Sequence, residues 1–175
     1  MDKIIEKSEK IILVDVFDRQ TGTEEKLEAH RSPRLHRAFS VFIYHEDKML
    51  IQRRAEHKYH SGGLWANACC SHPRDGELTE EAVLRRLEEE LGIGDVNAEE
   101  LFSFVYLNKF QNGLYEYEYD HVFVADYGGA LAVNREEIGD VEWVRFGELA
   151  RRLCHTPEIF ASWFLIAAPN VFKKM

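Results

Sequence analysis

Residues 67–93 read NACCSHPRDGELTEEAVLRRLEEELGI and hold the densest set of chemically capable side chains in the chain. Cys69, Cys70 and His72 are soft or borderline ligands, and Glu88, Glu89 and Glu90 stand just before Gly92, a residue that stops helices. Thiol, imidazole and carboxylate at the mouth of one helix point to metal and phosphate chemistry. Cys69-Cys70-Ser71-His72 is not a CxxC knuckle, so a single thiol near a metal, acting as acid, base or nucleophile, competes with plain burial of a small apolar group. Strand alternation buries one of Cys69 and Cys70 and leaves the other facing out.

More distant residues could complete such a site. His30, His36 and His72 occupy three turn-adjacent segments, and Glu116 and Glu118 point the same way from one strand. Together they would make a nitrogen and oxygen set suited to Zn²⁺, Mn²⁺ or Fe²⁺. With eight histidines in the chain, residue type alone does not separate these from ordinary surface imidazoles. Glu89 and Glu90 could hold a Mg²⁺ that bridges a diphosphate. Three glutamates in the last turns of a helix repel one another and oppose its dipole, which a helix built only for stability would avoid. Lys26, Arg54, Lys58 and Arg86 are candidate diphosphate clamps, with a solvated basic face as the alternative. Tyr106 and Trp163 read as core aromatics unless Trp163 faces a cation or an apolar substrate tail.

The positioning elements follow from periodicity. Residues 10–17 (KIILVDVF) form a strand, with turn chemistry at 18–22, and residues 37–44 and 49–53 form a hairpin around HEDK. A helix runs from an N-cap at Thr79 to Gly92, with Val83, Leu84, Leu87 and Leu91 as its buried stripe. Residues 101–110 and 114–126 flank Gln111-Asn112-Gly113, a strong hairpin signal. The second of these strands, LYEYEYDHVFVAD, puts Glu116, Glu118 and Asp120 on one face and Tyr115, Tyr117 and Tyr119 on the other. A strand at 141–146, a short helix at 148–153 and a last helix opened by Pro157 over 158–168 complete the chain. This order predicts an α/β (α+β) fold, one domain over 1–175 with its core at about 10–168, a mixed sheet sandwiched between helices.

Composition bounds the partners. The 175 residues are 45% apolar and 30% charged, a globular profile. A net charge of −9 argues against a nucleic-acid surface while permitting a small anion held by local cations and a metal. Charges in MDKIIEKSEK break any export signal, no apolar run is long enough to span a membrane, and three cysteines make no disulfide framework. A cytoplasmic protein, monomeric and acting on a small molecule, is expected.

EKLEAHRSPRLHRAFS, NACCSHP, RRLEEELG and YEYEYDHVF together resemble the type I isopentenyl-diphosphate isomerases, a branch of the Nudix superfamily, from about Lys10 to Phe164. Anchored on Gly92-Ile93, the Nudix pattern falls with its paired acids on Glu89 and Glu90, its arginine on Arg85 and its early glutamate on Glu77. Ser71 stands where its first glycine belongs, and Arg86 replaces the glutamate after the arginine. Nudix hydrolases use that glutamate in their metal site, so its loss speaks against hydrolysis. The resemblance implies a divalent metal, Mn²⁺ or Zn²⁺, on His30, His36, His72, Glu116 and Glu118. It implies Mg²⁺ on Glu90 and the Cys70 carbonyl, and a diphosphate against Lys26, Arg54, Lys58, Ser71 and Arg86. Cys70 and Glu118 match the proton-transfer residues, Tyr106 the partner of Glu118, and Trp163 the ring over the reacting carbon. Residues 59–63 read YHSGG where the family often has aromatic-Pro-Gly. The implied activity interconverts isopentenyl and dimethylallyl diphosphate for isoprenoid synthesis. A Nudix hydrolase and a non-catalytic ligand sensor are the alternatives.

Overall fold

The computed structural model describes residues 9–175. Among these, nine strands join in one mixed sheet: β1 (Lys10–Val14), β2 (Gln20–Glu25), β3 (His36–His45), β4 (Lys48–Arg54), β5 (Trp65–Ala66), β6 (Cys69–Ser71), β7 (Glu99–Lys109), β8 (Tyr115–Asp126) and β9 (Ile138–Arg145). Four α-helices accompany it: α1 (Lys26–Arg31), α2 (Thr79–Leu91), α3 (Phe146–His155) and α4 (Ser162–Lys174).

β3 is the hub. It runs parallel to β8 from His36↔Glu118 to Tyr44↔Asp126, and its other edge meets β1, β6 and β4 in turn, all antiparallel. A central strand buried on both faces reads as a nearly continuous apolar run, and residues 38–43 (AFSVFI) do, with Ser40 the one polar member, its hydroxyl donating to Asp120. Phe39, Val41 and Ile43 pack with Val83, Leu87 and Leu91 of α2. Phe42 faces the opposite side, with Trp163, Phe164 and Ala167 of α4. The sheet is thus sandwiched between helices, as the sequence implies.

Several local expectations are corrected. Thr79 is the first helical residue, and the N-cap is Leu78, whose N–H donates to the Glu81 carboxylate at 3.3 Å. Leu84 is 39% exposed; Ala82 and Glu90 are buried alongside Val83, Leu87 and Leu91 instead. The 18–22 turn is shorter, because β2 starts at Gln20, and α1 follows where the sequence shows no clear period. Gly92 does end α2, at φ 71°, and a Cβ there would lie 2.6 Å from that of Ala132.

The last helix is broken. Pro157–Ile159 make a single 3-10 turn, and Phe160 and Ala161 are extended before α4 starts. The cause is tertiary: Phe160 bridges Trp65 in parallel, and the Ala161 N–H donates to the Trp65 carbonyl at 2.9 Å. That clasp delivers Trp163 to the centre of the molecule.

Candidate active site

One row across three strands organises the site. His36 on β3, Glu118 on β8 and Tyr106 on β7 are register partners, so their side chains project side by side from one face. The alternation of β8 buries Glu116, Glu118, Asp120 and Val122 on that face. The Tyr106 hydroxyl donates to Glu118 at 2.6 Å and reaches Glu116 at 3.2 Å. Burial, Glu118 and Glu116 push the Tyr106 phenol well up, so it remains a donor. Burial also works against both carboxylates, but His36 and His72 hold Glu118 ionised, while burial and the Glu118 charge push Glu116 upward.

Three imidazoles surround Glu118. The His30 Nδ1 lies 2.6 Å from the Lys26 carbonyl and the His36 Nδ1 lies 2.7 Å from that of Arg34. A carbonyl only accepts, so both Nδ1 atoms carry hydrogen and Nε2 is the nitrogen each ring has left to offer as a ligand. Those two Nε2 atoms are buried without a hydrogen-bond partner among the described residues, although His36 Nε2 lies 3.5 Å from Glu118. His72 Nε2 lies 3.1 Å from Glu118. One atom each from His30, His36, His72 and Glu118 falls within 4.8 Å of the others. Burial lowers His30 to about 4 and His72 to about 3, which keeps both neutral and ligand-competent. Unpartnered Nε2 atoms and one ionised carboxylate fit a divalent cation. Glu116 is not one of these four; it turns toward Tyr106 and His60.

The cysteines resolve by strand alternation. Cys69 is fully buried in the α2-facing core, and Cys70, opposite Ser40, faces the cleft. Burial pushes the Cys70 thiol up to about 12 despite the neighbouring Arg54, so it is protonated at neutral pH. The Arg54 guanidinium approaches the Cys70 sulfur at 3.7 Å and lies 5.3 Å from the Trp163 ring centroid. Trp163 is fixed by its Nε1–H, which donates to Asn67 Oδ1 at 3.0 Å.

The cationic side faces α2. Lys26, Arg54, Lys58, Ser71 and Arg86 line the same cleft as Cys70, Glu118 and Trp163. Arg86 pairs with Glu89 at 2.8 Å and with Glu90, which answers the electrostatic misfit of the acidic helix end. Arg85 grips Glu77 with two hydrogen bonds, at 2.6 and 2.9 Å, and so ties the approach loop to α2. The Nε atoms of Arg54 and Arg86 are buried and unpartnered among the described residues. Burial, with Arg86 and Lys58 nearby, depresses the Lys26 ammonium, as it does any cation packed among other cations.

Residues 34–164 match the NUDIX domain. The chain is 48% identical to the isopentenyl-diphosphate Delta-isomerase of Photobacterium profundum, over 89% of this chain and 90% of that protein. The chain belongs to the Nudix family, in its isopentenyl-diphosphate isomerase branch. A second such isomerase, isopentenyl-diphosphate Delta-isomerase 2 of Aromatoleum aromaticum, is 44% identical over 94% of this chain and 87% of its own length. Among solved structures, DR0079 from Deinococcus radiodurans superposes with a TM-score of 0.77 at 22% identity, covering 93% of this chain and 98% of that one. A MutT NUDIX hydrolase from Burkholderia pseudomallei gives 0.56 at 19%, covering 77% and 96%. These two show the Nudix fold.

Within this Nudix isomerase cleft the sequence missed His60 and Glu137. His60 stacks on Phe110 with centroids 4.6 Å apart, stands edge-on to Trp163 at 6.2 Å, and its Nε2 lies 3.3 Å from Glu116. Burial lowers it to about 2, so it is a neutral aromatic wall. The loop is shaped to place it: Ser61 adopts φ 52°, Gly63 φ 76°, and a Cβ on Gly62 would lie 2.5 Å from the Glu56 carbonyl oxygen. The departure YHSGG was the available signal. Glu137 had none, standing in an irregular loop of an acidic chain.

Proposed function

We propose that this cleft interconverts isopentenyl and dimethylallyl diphosphate by placing a proton on one carbon and removing one from another. The observation that carries the reading is that Cys70, protonated, and Glu118, ionised, reach one cleft from different strands with Trp163 beside them. One group gives a proton and the other accepts one, so the two start in opposite charge states. Tyr106 holds the acceptor carboxylate in place. The Trp163 face stabilises the tertiary cation implied by protonating the alkene, by about 2 kcal/mol when water is excluded. After one turnover Cys70 is a thiolate and Glu118 carries the proton, and resetting the site takes a proton off Glu118, with Tyr106 as its nearest hydrogen-bond partner, and returns one to Cys70.

Lys26, Arg54, Lys58, Ser71 and Arg86 bind the diphosphate in this reading. His30, His36, His72 and Glu118 would hold one divalent cation, Mn²⁺ or Zn²⁺, beside Glu116, and Glu90 with the Cys70 carbonyl would hold Mg²⁺. Bound there, the cations supply positive charge that neutralises diphosphate and fixes carboxylate orientation. No helix among the described residues is long and apolar enough to cross a membrane. The chain then acts as one domain, a cytoplasmic monomer on a small soluble substrate, without nucleic acid or membrane.

Arg86 in place of the hydrolytic glutamate weighs against diphosphate hydrolysis. Incubation with isopentenyl diphosphate and Mg²⁺ in D₂O decides the matter. Deuterium in dimethylallyl diphosphate supports isomerisation, released phosphate means a hydrolase, and unchanged substrate means a binding module.

A further inference from the structure

Glu137 occupies a position that no role above explains. Its carboxylate accepts a hydrogen bond from Lys58 and lies 3.4 Å from an Arg86 terminal nitrogen. Lys58 stands between β4 and β5 and Arg86 on α2, so one acid bridges two cations from separate parts of the fold. The backbone holds it there. The Glu137 carbonyl accepts from the Ala55 N–H at 3.0 Å and its N–H donates to the Asn134 carbonyl at 3.1 Å. Asn134 is itself tied to α2, its N–H donating to the Glu90 carbonyl at 2.9 Å. The side chain lines the cleft and stays 26% exposed, so it can turn toward water without a large penalty. Meanwhile the Arg54 and Arg86 Nε atoms are buried and unused. The cradle therefore holds two kinds of donor, some occupied by an internal carboxylate and some waiting.

We propose that Glu137 is a displaceable counter-anion, which a ligand must push off Lys58 and Arg86, and that it thereby sets a threshold that diphosphate clears and anions of lower charge do not. This rests on the diphosphate reading above. An incoming anion gains only the difference between its own contacts and those of the carboxylate it replaces. Orthophosphate, with a charge of about −1.5 to −2 at neutral pH, gains little over one carboxylate. Pyrophosphate carries more charge and is long enough to engage the waiting Arg54 donor as well. A residue that merely positioned Lys58 would have the opposite signature, since its loss would weaken every anion.

The test is calorimetric binding of inorganic orthophosphate and inorganic pyrophosphate, each with Mg²⁺, to wild type, Glu137→Gln and Glu137→Ala. Both variants are expected to bind both anions about tenfold more tightly, by the same factor because each displaces the same carboxylate, which brings orthophosphate over the threshold; tightening confined to one anion would overturn the proposal. Glu137→Gln keeps the side-chain size, so it carries the test if Glu137→Ala fails to fold. Weaker binding of both anions identifies a positioning residue, and unchanged binding a bystander; either overturns the proposal. Wild type that binds neither anion overturns the diphosphate reading itself, and this inference with it.

Discussion

Tyr106 and Glu118 stand directly opposite one another on β7 and β8, and the phenol donates to the carboxylate at 2.6 Å across that single rung. The pair is a product of register. Sliding β8 by one residue would turn every acid outward and bring the tyrosines in. Tyr106→Phe removes the donor and keeps the ring. We expect it to cost about 1–3 kcal/mol of stability by thermal melting and to lower kcat more than KM. A KM effect alone would remove Tyr106 from the chemistry.

That register is set at the hairpin tip, where Gly113 adopts φ 83° and the Phe110 N–H donates to the Leu114 carbonyl at 2.8 Å. Gly113→Val, a β-branched residue forced to positive φ, is expected to cost more than about 1 kcal/mol and to reduce turnover although it lies outside the cleft. Gly113→Asn, which tolerates that backbone region, should retain most of both. Equal losses in the two variants would contradict this account.

On the proposed mechanism, removing either Cys70 or Glu118 should silence the enzyme without unfolding it. Cys70→Ala and Glu118→Gln are each expected to lower kcat by a factor of about 10² to 10⁴ at nearly wild-type melting temperature. They differ in metal content, measured by elemental analysis. Glu118→Gln should release cation that Cys70→Ala retains, because only Glu118 sits among the three imidazoles through its side chain. Retained turnover in either variant would defeat the assignment.

A pH experiment isolates the Arg85 clamp. The hydrogen bond from Arg85, outweighing partial burial, lowers the Glu77 carboxyl below its ordinary 4.5. A lowered acid contributes stability above its unfolded pKa and loses it as pH falls through its folded one. Glu77→Gln should therefore reduce the melting temperature at pH 7, and its difference from wild type should fade in acid. A difference independent of pH would point to packing instead.

How the sequence encodes these features varies with the range of the interaction that decides them. The alternation of β8 placed Glu116, Glu118 and Asp120 together because period two is local. His30, His36 and His72 could be named as ligand types, but their convergence depends on β3 running parallel to β8, a pairing of residues far apart in the chain. Leu84 had the right spacing for the buried stripe of α2 and is exposed because the described residues leave its side of the helix partly open. His60 escaped because its place depends on the unusual backbone of Ser61 and Gly63. The break before α4 escaped because Trp65, with four strands and two α-helices intervening in the chain, accepts the Ala161 hydrogen bond.

Leu87 and Leu84 offer a simple check on that reading of α2. Leu87 is fully buried, so Leu87→Ala should cost about 2–5 kcal/mol by denaturant unfolding, while Leu84→Ala stays within about 0.5 kcal/mol. Similar costs would restore the wider stripe.

The clasp between Trp65 and residues 160–161 also ties the cleft to the packing of the last helix. The Phe160 bridge and the Ala161 N–H both land on Trp65, and Trp163 follows two residues later. The same helix supplies Phe164, Ala167, Ala168 and Val171 to one of the two large apolar clusters. Closing the cleft and closing that cluster are therefore one event, and damage to α4 opens both at once.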